Sequence, residues 1–198
     1  MTQSSFKGLT RPSARETNFR RTTPVLLCLK GHPGTGKSTL ARALCRRLSW
    51  PLLDKDDIKD HTWPLADGNE LSYAILWQMV ETQLSNGLSV IVDSPLARPQ
   101  LYETVKSLAK RNQARLLIVQ SEIDEATWKL RLEKRSANPS PHKPSSWQDM
   151  EKQLAIYNGV YNYPIAADHL FVANTAQPMS ILLDKILRRI GKVEKWKS

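Results

Sequence analysis

Cysteine is scarce in this chain, with only Cys28 and Cys45 among 198 residues. Two thiols cannot build a disulfide framework or, unaided, a zinc site. Cys28 falls in an apolar run and Cys45 in a helical pattern, where thiols act as small hydrophobes, and a reducing compartment fits. Long apolar runs are also missing. Stretches such as Val25 to Leu29 and Leu116 to Val119 fall far short of the roughly 18 residues that a membrane-spanning helix needs, so no membrane partner is expected. Acid is in deficit: 19 Asp and Glu stand against 29 Lys and Arg, a net charge of +10. That balance favours anionic partners such as nucleotides, phosphorylated metabolites or RNA. His61, His142 and His169 lack the spacing of a metal site or a nucleophile triad. The basic residues are dispersed rather than grouped in an RNA-recognition signature, so nucleic acid is permitted as a partner but not favoured. What is present is ordinary: 40% hydrophobic and 24% charged residues exclude a disordered, collagen-like or coiled-coil chain and predict one domain with a real core.

Residues 1–23 are rich in Ser, Thr and Arg, with Glu16 their one acid and Pro12 interrupting any long helix. They read as a basic arm, plain or organelle-targeting; without targeting, the expected location is cytoplasmic. From residue 24 to 190, strand-like apolar runs alternate with helix-period segments, the pattern of an α/β domain with a mostly parallel sheet covered on both faces. Strands are predicted at Val25–Lys30, Leu52–Asp54, Ser89–Asp93, Arg115–Gln120 and His169–Val172. Helical stripes run through Leu40, Leu44 and Leu48, through Leu101, Val105 and Leu108, and through Leu182 or Leu183, Ile186 and Ile190. A further helix over 69–86 turns Leu76, Val80 and Leu84 inward and stops at Gly87. Residues 136–146 hold too much Pro and Ser for regular structure and read as a loop between helices at 124–135 and 147–158. A phosphotransferase would carry a lid there, around 124–158; a surface loop without function is the alternative. Residues 191–198 form a short tail. No internal repeat is present, and the oligomeric state is left open.

Gly31-His32-Pro33-Gly34-Thr35-Gly36-Lys37-Ser38 fits G-x-x-x-x-G-K-[ST], directly after an apolar strand and before a helical segment, the context that motif requires. By chance the pattern arises in about one chain in a hundred of this length. Its glycines let the backbone turn tightly around an anion, so that N–H groups and the positive end of the next helix face phosphate oxygens. Residues 31–39, with Thr39 closing the set, are therefore the expected ATP-binding segment. Lys37 reaches the β- and γ-phosphates and Ser38 offers a hydroxyl to Mg²⁺. His32 and Pro33 occupy variable positions; His32 is expected to face solvent and to do no chemistry. Val90, Ile91 and Val92 lead to Asp93 at the C-terminal edge of a strand, where α/β sheets bind ligands, and Asp93 is the expected ligand to the waters of Mg²⁺.

Asp54, Asp56 and Asp57 put three carboxylates within four residues at the end of the second strand. One of them can orient and deprotonate an acceptor hydroxyl in line with the γ-phosphate. The alternative is that Asp56 or Asp57 merely caps a helix beginning near Ile58.

These residues resemble the small P-loop kinases, the group that includes shikimate, gluconate and chloramphenicol kinases, zeta-toxin kinases and polynucleotide 5′-kinases. The likeness covers most of residues 24–190. It implies a three-layer P-loop NTPase fold with five strands in the order 2-3-1-4-5. It places the acceptor base at Asp56 and puts Lys59 where such enzymes normally have Arg, which weakens a bidentate grip on an acceptor phosphate. Trp128 to Arg135 is similar to the lid helix of the group, with Arg131 and Arg135 four residues apart and able to compensate charge at the transition state. The stretch Phe171 to Pro178 resembles the loop near adenine. Trp63 is a candidate wall of the acceptor pocket, whereas Tyr157, Tyr161 and Tyr163 read as packing. The activity implied is transfer of the γ-phosphoryl group of ATP to a hydroxyl of a small molecule. The alternatives are a nucleic-acid 5′-hydroxyl kinase and a regulatory module that binds ATP without transferring phosphate.

Overall fold

The computed structural model describes residues 23–135 and 143–192. Most of the expected N-terminal arm (1–22), most of the Pro/Ser loop (136–142) and the tail residues 193–198 lie outside the described residues. The elements are β1 (Val25–Lys30), α1 (Lys37–Leu48), β2 (Leu52–Asp54), α2 (Lys55–Thr62), α3 (Gly68–Ser85), β3 (Val90–Asp93), α4 (Pro99–Arg111), β4 (Arg115–Glu122), α5 (Glu125–Arg135), α6 (Trp147–Tyr157), β5 (Leu170–Asn174) and α7 (Met179–Lys192). Every strand pairing is parallel, and the order is β2-β3-β1-β4-β5, as the resemblance to the small P-loop kinases implied.

β1 is central, and all six of its residues are buried. Its period of two divides the core into two layers. Leu26 and Cys28 join Val90, Val92 and Ile118 beneath Leu76, Val80 and Leu84 of α3 and Val105 and Leu108 of α4. Val25, Leu27 and Leu29 join Ile91 and Val119 beneath Leu40, Ala41 and Leu44 of α1 and Leu182, Ile186 and Ile190 of α7. A sheet roofed on both sides explains why the strands read as apolar runs rather than alternating ones.

Boundaries depart from the sequence reading at several elements: β3 begins at Val90 rather than Ser89, and β5 covers Leu170–Asn174 rather than His169–Val172. β4 runs to Glu122 because β5 bonds along it as far as Ser121↔Ala173 and Glu122↔Asn174. α2 begins at Lys55 rather than near Ile58, and its cap is Asp54 rather than Asp56 or Asp57: the Asp54 side chain accepts a hydrogen bond from the Asp56 N–H at 2.9 Å. None of the described helices is long and apolar enough to cross a membrane.

Leu44 has no exposed surface and pins α1 to the sheet. Leu44→Ala is expected to cost about 3 kcal/mol, through lost transfer energy and a residual cavity, as read from urea unfolding.

Candidate active site

The chain leaves β1 and turns through the glycine-rich loop into α1. Gly34 and Gly36 hold φ angles of 84° and 93°, a region that side chains rarely adopt. A β-carbon would be crowded as well: one at Gly34 would meet the Leu132 side chain at 2.9 Å, and one at Gly36 the Arg131 guanidinium at 3.1 Å. Gly36 caps α1 without a side-chain bond, and the first turn holds no acid. The leading N–H groups of α1 are thus left for an outside anion.

Three other elements hold the loop from behind. The Thr35 hydroxyl lies 2.8 Å from the His32 carbonyl and 2.7 Å from the Ser121 hydroxyl of β4, itself 3.2 Å from the Lys30 carbonyl. The Trp128 indole of α5 donates to the Pro33 carbonyl at 2.7 Å. Thr175, after β5, donates to the Thr35 carbonyl at 2.6 Å, and Arg131 bonds the Thr175 hydroxyl and carbonyl at 3.1 and 2.9 Å. His32 does not face solvent as expected. Its ring stacks on Tyr161 at 3.7 Å and on Trp128 at 5.3 Å, and burial, with Lys30 and Lys37 nearby, lowers its pKa to about 4. The variable loop position is apolar packing, which a motif pattern does not encode.

Lys30 is only 1% exposed. Its ammonium donates to the Tyr161 carbonyl at 2.9 Å and sits 3.2 Å from the centre of the Tyr161 ring and 4.6 Å from that of Tyr163. Tyr161 and Tyr163 therefore pack, as expected, but against a cation. Burial lowers the Lys30 pKa to about 7.

The carboxylates separate by position. Asp54 and Asp93 are level in the β2–β3 register. Burial first, and the Asp93 charge second, raise the Asp54 carboxyl to about 6. Asp93 is 3% exposed, and its Oδ2 finds no hydrogen-bond partner among the described residues. Asp57 points outward, while Asp56 lines a cavity and pairs with Lys143 at 2.5 Å. With capping done by Asp54, Asp56 is the member of the trio turned to the cavity.

That cavity, about 1300 Å³, opens over the C-terminal ends of the strands. From the expected site it gathers Pro33, Gly34, Gly36, Lys37, Ser38 and Thr39, with Asp56, Asp93 and Arg131. Gly31, His32 and Thr35 do not line it but shape the loop beneath. Lys37 Nζ donates to the His32 carbonyl at 3.1 Å. Trp63 is 47% exposed and lies outside the lining, so it is not a wall of this pocket; its ring stands 4.6 Å from the Lys59 ammonium. The Arg135 side chain lies outside the described residues. The sequence reading missed Arg42, Lys55, Tyr73, Arg98, Lys134 and Lys143, all lining the cavity. Arg42 was within reach, one turn after Ser38 on a helix already assigned; the others converge only through tertiary folding.

A family model described as an AAA domain matches residues 26–156. No curated protein matches the chain. Among solved structures, a Chloroflexus aurantiacus protein carrying a provisional kinase name superposes with a TM-score of 0.68 at 21% identity, over 85% of this chain and 99% of the other. A gluconokinase from Sinorhizobium meliloti gives 0.60 at 15% identity, over 86% and 93%. The APS kinase of Mycobacterium tuberculosis, solved with AMPPNP and APS, gives 0.58 at 12%, over 86% and 99%. At such identities the likeness shows the fold, that of the P-loop NTPases.

A lysine whose folded pKa is depressed adds stability that is present above its unfolded value near 10.5 and is lost as pH falls through about 7. Lys30→Met removes that dependence. The variant's thermal midpoint minus that of the parent is therefore expected to be largest near pH 6 and to shrink steadily towards pH 10, as read by scanning calorimetry across pH.

Proposed function

This chain belongs to the AAA domain family, and on that premise we propose that it is an ATP-dependent phosphotransferase acting on a hydroxyl of a small molecule. The observation that carries the reading is the meeting in one cavity of Lys37 and Ser38, the orphaned carboxylate of Asp93, and Asp56 in the first turn of α2. A nucleotide-binding switch needs the first three but has no use for the fourth.

The residues fit Mg²⁺. Ser38 and Asp93 supply the hard oxygen donors that the ion takes, and the unpartnered Asp93 Oδ2 is buried where a hydrated cation would satisfy it. Once bound there, the ion supplies positive charge against the phosphate oxygens. The open N–H groups of α1 and the Lys37 ammonium hold the triphosphate. Asp56 accepts the proton of the acceptor hydroxyl as its oxygen bonds the γ-phosphorus and the bond from phosphorus to the β–γ bridging oxygen breaks, releasing ADP. Arg131, braced on Thr175, offers a guanidinium to the charge that spreads over the transferring group, a stabilisation worth most in a site closed to water. The solved relatives named as kinases support this reading.

Lys37→Ala is expected to abolish transfer from labelled ATP. Asp56→Asn is expected to keep Mg·ATP binding in calorimetry while lowering transfer roughly tenfold or more. Labelled product from a metabolite extract, identified by mass spectrometry, names the acceptor; normal transfer by Asp56→Asn removes that base.

A further inference from the structure

Exposed large apolar side chains are not spread evenly over the molecule. Among the described residues there are eleven, and six of them, Trp63, Leu65, Leu71, Ile75, Met79 and Leu88, fall between residues 63 and 88, which singles out one surface. α3 forms its centre. This helix buries Leu76, Val80 and Leu84 against the sheet, yet Leu71, Ile75 and Met79, four residues apart, make a second apolar row on its solvent side. Ala74, Gln78, Thr82 and Ser85 flank that row and are exposed as well. The only charged residues of α3 are Glu70 and Glu81, so the row and its flank carry no charge. An apolar surface without charge marks an interaction site rather than a solvated helix face.

The turn leading into α3 is braced and widens the surface. The Leu65 N–H donates to the Thr62 carbonyl and the Gly68 N–H to the Leu65 carbonyl, both at 3.0 Å, while the Thr62 hydroxyl donates to the Gly68 carbonyl at 2.6 Å. Trp63 and Leu65, 47% and 54% exposed, are thereby held beside the N-terminal end of the row. The charges at the rim are of opposite sign at the two ends. Asp67, just before α3, is exposed, caps no N–H with its side chain and makes no ion pair among the described residues. Arg111 of α4 borders the other end, its Nε 2.9 Å from Glu81 and its side chain 55% exposed. A guanidinium carries further N–H groups that can reach a second carboxylate.

We propose that two copies of this chain pair through the outer face of α3 and the turn bearing Trp63 and Leu65. The helices lie antiparallel about a two-fold axis near Ile75. Leu71 then meets the partner's Met79, Ile75 meets its own counterpart, and Asp67 of each copy meets Arg111 of the other. A parallel arrangement would set Asp67 against Asp67 and align the helix dipoles unfavourably. The net charge of +10 penalises approach of two copies through cationic faces, and this row has no cation. α3 also gives Asn69, Glu70 and Tyr73 to the cavity wall, so one helix borders the cavity on one side and the second copy on the other. Pairing through this face does not depend on the phosphotransfer reading.

Sedimentation equilibrium of the full chain, from micromolar to sub-millimolar concentration, is expected to reach the mass of two chains. Ile75→Glu sets like charges face to face near the axis and is expected to weaken association at least about tenfold while the thermal midpoint stays close to that of the parent. Arg111→Glu is expected to weaken association too, and the further change Asp67→Arg to restore it, a recovery that a general loss of stability does not produce. In a Cys45→Ser background, Ile75→Cys is expected to link two copies by a disulfide in oxidised glutathione, whereas Ser85→Cys, far from the axis, is not. The mass of one chain throughout, a dimer undiminished by Ile75→Glu, no recovery on the charge swap, or equal linking at the two cysteine positions overturns the proposal.

Discussion

The molecule depends on one register. β1 is hydrogen-bonded along both edges, with Leu29 level with Asp93 on one side and with Val119 on the other. Parallel strands bonded in this way finish together, so the loop after β1, the carboxylate closing β3 and the hydroxyl of Ser121 near the end of β4 reach the same edge. A slip of one residue would exchange the two core faces of β1, sending Leu26 and Cys28 toward α1 and Leu27 toward α4. The tightness of both layers, with β1 wholly buried, makes that slip prohibitive.

The phosphate cradle is a tertiary product as much as a local one. Its glycines permit the turn, but the turn is held by Ser121 of β4, Trp128 of α5 and Thr175 beyond β5. Beneath it lies a layer unusual for a phosphate site: a nearly inaccessible ammonium, two tyrosine rings and an imidazole stacked face to face. The rings compensate the cation without introducing an anion, which would weaken the attraction of the loop for phosphate.

The fold was legible in the sequence because a doubly covered parallel sheet writes itself as apolar runs and amphipathic stripes. Leu76, Val80 and Leu84 turn inward as their spacing implies, and β1 and β2 begin and end where expected. The loop at 31–38 was legible because its chemistry needs contiguous residues. The start of α2 was hidden because its short, charged sequence has no apolar stripe to mark it. The role of His32 and the exposure of Trp63 were hidden for another reason, since neighbours distant in the chain decide both. The basic residues on the β2–β3 side were unreadable for the same cause: Lys55, Arg98 and Lys143 are separated by dozens of positions and share a cavity only after folding.

The face of α5 turned to the loop is fastened at three places: Trp128 to the Pro33 carbonyl, Leu132 against Gly34, and Arg131 to Thr175. A helix pinned along one side cannot roll about its own axis. The bearing of Lys134 toward the cavity is therefore inherited from its neighbours rather than chosen by its own flexible stem, and whatever displaces the glycine at 34 re-aims a charge on the same turn of α5 as Leu132.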